Sequence, residues 1–383
     1  MTLSIGRRRF LQHTLLGAAA FASGVGVAGP GKRATTVADG DWRMPDEGEP
    51  HACTWMAFGA SAAIWGDELL PLVRANLATL ARTIGRYEPV RMLVRPRERG
   101  LAQSLLGDAP GVELLDCPLD DLWIRDTGPT FVFNRRDGLA AVDFNFNGWG
   151  RKQAHAQDDR VAAFVARQAK VERLHAKFVM EGGCIEVDGE GTAIVTESCT
   201  LNRNRNPGMG KAQFEDRLMP LLGLDKILWL PGIKGRDITD GHTDFYARFA
   251  RPGVVIAGLE QDPGFDDYGV TRAHLEILRK ATDAKGRKLE VLTLESPAQV
   301  RPRWRGSDDF AAGYVGYYAC NGAIVMQQFG DATADASAQS VLARAFPGRK
   351  IEALDMDGIA AGGGSVHCAT QQQPAWTHED PRR

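Results

Sequence analysis

The feature that most restricts what this chain can become is a pattern that returns along its length. FVFN and LAAVDFNF read as two strands, DDRVAAFVARQA as an amphipathic helix and KFVM as a further extended piece. CIEVDG, TAIVTES, KAQFEDRLMPLLG and KILWLP repeat the order strand, strand, helix, strand. TDFYARFA, VVIAG, GVTRAHLEILRKATDA and KLEVLTL do so again, and AGYVGYYA, AIVMQQF, ASAQSVLARAF and KIEALDM make a fourth copy. ACTWMAF, ELLPLVRANLATLARTIGR and VRMLVR start a fifth, which the C-terminal segment can complete. Self-similarity of this kind predicts one circular α/β repeat rather than two domains. In such folds chemistry collects where the loops of all the units converge.

Composition narrows the partners. With 44% hydrophobic and 25% charged residues the chain is ordinary globular material. A formal net charge of −2 points to no nucleic acid and no acidic membrane surface. The 6 cysteines are scattered without a CxxC pair, which argues against a zinc ribbon and against a disulfide-dense scaffold. GRRRFLQ, Gly6 to Gln12, followed by HTLLGAAAFASGVGVAG, predicts a twin-arginine-type signal over residues 1–30. That implies the twin-arginine export machinery as a partner and a periplasmic or secreted location. The apolar run is too short and too rich in glycine for a membrane span, so the mature form is expected without one. GPGKRATTVADGD makes residues 31–41 a linker, and the globular domain runs over 42–377.

Four inter-strand segments hold the reactive residue types. GGGSVHCATQQQP, Gly362 to Pro374, presents Cys368 behind three glycines, which leave room for an approach to it. His367 is next in the chain, so in an extended segment it points away from Cys368. His242 is the better partner for a thiol that must ionise near neutral pH. DITDGHTDFYARF carries Asp240, His242 and Asp244 two apart, which in an extended chain share one face. Such a set can bind a metal or place an acid–base histidine beside a carboxylate. DDLWIRDTGP places Trp123, Arg125 and Asp126 before a Gly-Pro turn, and MEGGCIEV puts two glycines beside Glu181. Taken singly, each has a plain structural reading: a surface Arg–Asp pair, a turn, a solvated sheet face, a buried cysteine.

WIRDTGP, FNFNGWG, EGG, DGHTD and GGGSVHCATQQQP, in this order, resemble the agmatine deiminase family, which is related to the bacterial type of peptidyl-arginine deiminase. The resemblance spans Trp42 to Trp376, and MPDEGEPHACTWMAF is similar to the family's opening stretch. It implies a fivefold pseudosymmetric α/β propeller of ββαβ units with the site in a central funnel. It implies hydrolysis of agmatine to N-carbamoylputrescine and ammonia, a step of polyamine metabolism, through a covalent cysteine thiouronium. The roles it implies are Cys368 as nucleophile, His242 as acid–base, and Asp126 and Asp244 as holders of the guanidinium. Glu181 and Trp123 count with the substrate-binding residues, and neither a metal nor a cofactor is implied. Two carboxylates match the planar fork of guanidinium donors, which fixes its central carbon for attack.

The chain departs from the family pattern at three places: Ser365-Val366 where Asn-Ile is usual, Asp240 where Asn is usual, and Gly316 where a larger polar residue is expected. These bear on the substrate more than on the chemistry. A deiminase of free or peptide-bound arginine is the neighbouring alternative. Free arginine would need a cation for its α-carboxylate, with Arg125, Lys152, Arg203 and Arg205 as candidates. Readings of another class are a metal-binding protein using Asp240, His242, Asp244 and Cys368, and a catalytically inactive binding protein. Oligomeric state is not legible.

Overall fold

A strand that follows its partner over a tight turn pairs antiparallel; one reached through a helix can pair parallel. Both connections alternate here. The computed structural model describes residues 42–134, 138–307 and 309–376, so the expected signal, the linker and the last residue of the expected domain lie outside the described residues. Ile185–Val187 pairs antiparallel with Thr192–Thr196, the helix Lys211–Leu222 crosses back, and Lys226–Leu230 joins parallel. Ala247–Arg251, Val254–Leu259, the helix Asp267–Lys280 and Glu290–Glu295 repeat the unit. Tyr318–Cys320, Ala323–Gln327, the helix Ala332–Ala345 and Lys350–Leu354 repeat it again. The turns Gly253 and Gly322 hold φ of 78° and 77°, which only glycine takes readily.

Two sheets have a fourth strand. In one, Thr130–Asn134, Gly138–Asp143 and Glu172–His175 are joined by Trp42–Arg43 on the outer edge. In the other, His51–Phe58, Val90–Val94 and Val112–Asp116 run parallel, the first two joined by the helix Ala62–Ile84. The antiparallel partner of His51–Phe58 comes from the far end of the chain: Gln371–Pro374, with Gln371 opposite Trp55. Among the described residues this makes five sheets in a mixed α/β fold. Helix-to-sheet cores hold them. Val73, Leu77, Leu80, Ala81 and Ile84 pack one face of the long helix on Met56, Phe58, Met92 and Val94.

KFVM is not a strand. The helix Val161–Ala169 ends at Lys170 in the left-handed conformation, and the chain enters Glu172–His175 at once. Lys177–Met180 follows as a bend and irregular chain. The Asn206 amide takes the place of a neighbouring strand: its Oδ1 accepts from Val179 N at 3.0 Å, and its Nδ2 donates to Val179 O at 2.8 Å and to Thr200 O at 2.9 Å. AGYVGYYA contributes only Tyr318–Cys320, while Val112–Asp116 and the helix Arg99–Leu106 add to the expected elements.

Asn206→Ala leaves these buried backbone groups unpaired, at about 1–3 kcal/mol for each. Urea unfolding should show a lower midpoint at an unchanged slope.

Candidate active site

The predicted motifs meet, each bent by its own local sequence. WIRDTGP forms the short helix Ile124–Thr127, which the Gly-Pro pair ends. Asp126 is buried there: its Oδ1 accepts from Gly183 N at 3.1 Å and its Oδ2 from the Trp149 indole at 2.9 Å. Trp149 reaches it from FNFNGWG through a backbone φ of 53°. EGG enters a 3-10 turn, Gly182–Cys184. In DGHTD the expected strand is absent. Asp240 and Gly241 take φ of 63° and 88°, and Thr243–Phe245 is a 3-10 turn. The alternation is thereby broken. Asp240 turns to Arg205 at 2.7 Å, Lys152 at 2.8 Å and Asn204 at 3.0 Å, while His242 and Asp244 turn to the site. The four-residue metal reading with Asp240 therefore loses one of its ligands to this cluster.

Gly183 marks where the groups converge. A Cβ there would sit on His242 Nδ1, and 3.1 Å from both Asp126 Oδ1 and Asp244 Oδ2. Cys368 Sγ lies 3.9 Å from Asp244 Oδ2 and 3.3 Å from Ser365 Oγ. Cys368 is 6% exposed and His242 and Asp244 1% each. Among the site's groups, the buried atoms His242 Nδ1 and Asp244 Oδ1 have no hydrogen-bond partner among the described residues. A buried polar atom left unpaired is costly, so these two atoms on two groups of the site are where a polar ligand would be satisfied.

The glycines before Cys368 act by close packing rather than by opening an approach. A Cβ on Gly362 would overlap the ring of Trp65, and one on Gly364 the ring of Trp123. The two indoles lie 5.7 Å apart, so Trp123 supports the loop that carries Cys368. Glu181 lies behind His242, at 3.4 Å from its Nε2, and takes both its oxygens to Arg205 Nε at 2.9 and 3.0 Å.

Sequence reasoning passed over two residues that hold the site in shape. His367 is the partner of Asp244, not of Cys368: Nδ1 lies 2.7 Å from Asp244 Oδ2, and Nε2 2.9 Å from Glu47 Oε2. Glu47 also accepts from Arg125 Nη2 at 2.9 Å and from Ala319 N at 2.8 Å, and pairs with Arg248 at 2.8 Å. Its one signal was its place in MPDEGEP. Arg125, for which a surface pair with Asp126 was one reading, is buried; its backbone N–H donates to Cys368 O at 3.2 Å and its side chain to Gln372 at 2.8 Å.

Charge states follow from burial. Burial, reinforced by the charges of Asp244 and Asp126, pushes the Cys368 thiol up to about 12. Burial also raises Asp126. It would raise Asp244 too, but the bond to His367 outweighs it and holds that carboxyl low. For His242 burial opposes the charged form, yet the carboxylate of Asp126 and the bond to Glu181 prevail and raise it well above its usual value. At neutral pH the site thus rests as a thiol beside an imidazolium and two acidic groups.

A thiol, an imidazole and paired carboxylates around one buried point define the class: a thiol-centred site shaped for a cation. The model of the Porphyromonas-type peptidyl-arginine deiminases matches residues 43–374. A Streptomyces coelicolor relative is 42% identical over 340 residues, 87% of this chain and 99% of its own. An agmatine deiminase of Stutzerimonas stutzeri is 37% identical over 87% of this chain and 95% of its own. The structure of agmatine deiminase from Enterococcus faecalis superposes with a TM-score of 0.80 at 31% identity, over 87% of this chain and 96% of that one. The chain belongs to the Porphyromonas-type peptidyl-arginine deiminase family.

Gly183→Ala would place a methyl group at the convergence point. Its turnover should fall by about 10²-fold or more with a melting temperature lowered by only a few degrees, checked by ammonia release and thermal unfolding.

Proposed function

We propose that this chain is an agmatine deiminase, hydrolysing agmatine to N-carbamoylputrescine and ammonia without a metal. The observation that carries the reading is the convergence of Asp126, Asp244 and His242 on one buried point beside Cys368. The guanidinium lies against the two aspartates, with N–H groups for the unpaired Asp244 oxygen. Cys368 sulfur adds to the guanidinium carbon. His242 protonates one nitrogen, which leaves as ammonia, and the thiouronium cation remains on sulfur. His242 then takes a proton from water, the hydroxide oxygen adds to the same carbon, and the thiol is expelled as the ureido product forms. Guanidinium and water thereby give urea-type product and ammonium. Glu181 and Trp123 contribute by holding His242 and the nucleophile loop.

The choice of agmatine rests on the surrounding charges. Of the cations that an α-carboxylate would need, Arg125 and Arg205 are buried in ion pairs, Lys152 binds Asp240, and Arg203 is exposed. The burial of every reacting group suits a slender diamine-like substrate rather than a polypeptide. At the departures from the family pattern, Ser365 packs against Gly316, where a Cβ would overlap its side chain, and Asp240 lies in the cluster around Arg205. The five sheets, each an antiparallel pair with a parallel neighbour, support a fivefold pseudosymmetric propeller with this site at its centre. Export through the twin-arginine route before action in the periplasm or outside the cell, and a catalytic domain over 42–377, complete the reading.

Comparing kcat/KM for agmatine, arginine and a blocked arginyl peptide tests it, and preference for the peptide would overturn the substrate. Asp126→Asn and Asp244→Asn each remove one partner of a buried charge pair, about 3–5 kcal/mol. That corresponds to a loss of roughly two to four orders of magnitude in kcat/KM.

Binding should also move a proton. The thiol sits at about 12 in the free enzyme, and a guanidinium against Asp126 and Asp244 lowers it. A group whose pKa falls on binding releases a proton, so affinity rises with pH between the bound-state value and the free one. Rapid mixing with an indicator dye should show a proton burst that Cys368→Ser lacks.

A further inference from the structure

Behind the catalytic histidine lies a second cluster that the proposed reaction does not use. We infer that Glu181, Cys184, Cys199 and His242 form a binding site for a zinc-class ion, and that its occupation silences His242. The second half of this rests on the role proposed for His242; the first half does not.

The four ligand atoms all lie within 4.8 Å of one another and all four residues are buried. Cys184 Sγ is 2.9 Å from Cys199 Sγ and 3.0 Å from Glu181 Oε2. Cys199 Sγ and His242 Nε2 are 3.6 and 3.4 Å from that same oxygen. Tetrahedral zinc with sulfur at about 2.3 Å and nitrogen or oxygen at about 2.0–2.1 Å spaces its ligand atoms roughly 3.3–3.8 Å apart. To reach that spacing the two sulfurs must part by about 0.9 Å and Cys184 Sγ must draw back from Glu181 by about 0.5 Å, while any pair near the 4.8 Å limit closes by about 1 Å. Two sulfurs with one imidazole and one carboxylate suit zinc or cadmium and disfavour magnesium or calcium.

The surroundings can hold the charge. Two thiolates and a carboxylate carry three negative charges, the ion two positive ones, and the buried Arg205 guanidinium on Glu181 balances the remainder. Arg205 also fixes the carboxylate in orientation, as outer partners of metal ligands do. Cys184 sits at the end of the turn Gly182–Cys184 and Cys199 within the helix Glu197–Thr200, so both thiols come from elements packed around Glu181. Binding sends the two thiol protons and the imidazolium proton to solvent. An imidazole coordinated through Nε2 keeps a single N–H at Nδ1 and can no longer cycle a proton between leaving nitrogen and water.

The test uses the full chain kept reduced with a phosphine. Cobalt(II) should bind at one equivalent with an ultraviolet thiolate-to-cobalt band that Cys368→Ser retains and the double variant Cys184→Ser/Cys199→Ser loses. Zinc should inhibit agmatine hydrolysis reversibly to chelator. The double variant should hydrolyse agmatine and need at least about tenfold more zinc for the same inhibition. A band lost in Cys368→Ser but kept in the double variant would put the metal on the nucleophile and overturn the assignment, as would the absence of any band. The band is read without turnover, so failure of the agmatine reading leaves this result standing, and the reverse also holds.

Discussion

The site depends on a buried carboxylate that the proposed reaction does not use. Glu47 receives Arg125, His367 and the Ala319 amide, and pairs with Arg248, whose Nε donates to Glu186 at 2.7 Å. These groups come from four separate stretches of chain. Burial would raise Glu47, but Arg248, His367 and Arg125 outweigh it and hold it well below the carboxylate range, so it stays ionised. Each buried charge here is compensated by another, and the arrangement stands only when all are in place. Through His367 it aims Asp244, and through Arg125 it fixes the carbonyls of His367 and Cys368.

That interdependence explains a resting state that looks unpromising for a nucleophile. The carboxylates that suit a guanidinium also suppress the thiolate. A buried thiol at about 12 does little with stray electrophiles. In the reaction proposed above, the cation that the carboxylates attract is also what relieves the suppression. Binding and activation are then one electrostatic event, and selectivity for a cation follows from the proposed nucleophile as much as from the shape of the cleft.

The residues of the site were legible because they lie in short, contiguous motifs: Asp126, Glu181, His242, Asp244 and Cys368 each stand beside glycine or a tight turn. What could not be read was direction. The two-residue spacing of Asp240, His242 and Asp244 suggested a shared strand face, and the left-handed turn at Asp240 and Gly241 sends Asp240 elsewhere. The glycines ahead of Cys368 advertised an opening, yet Gly362 and Gly364 receive tryptophan rings and Gly363 holds a left-handed φ of 81°. The repeat unit was legible in its hydrophobic periods, whereas KFVM was misjudged because a side-chain amide, Asn206, mimics a strand partner that periodicity assumes. Glu47 and His367 work through partners hundreds of positions away, which local pattern does not encode.

The strand Gln371–Pro374 begins directly after the loop that carries Cys368, and it pairs with His51–Phe58 from the start of the domain. Synthesis from the ribosome makes that early strand first and its partner last. Every other sheet draws its strands from chain made earlier, so it can assemble while the polypeptide is still growing. Cys368, the sulfur proposed to react, and its neighbour His367 wait for the ends to meet, so a chain lacking this segment does not complete the proposed site.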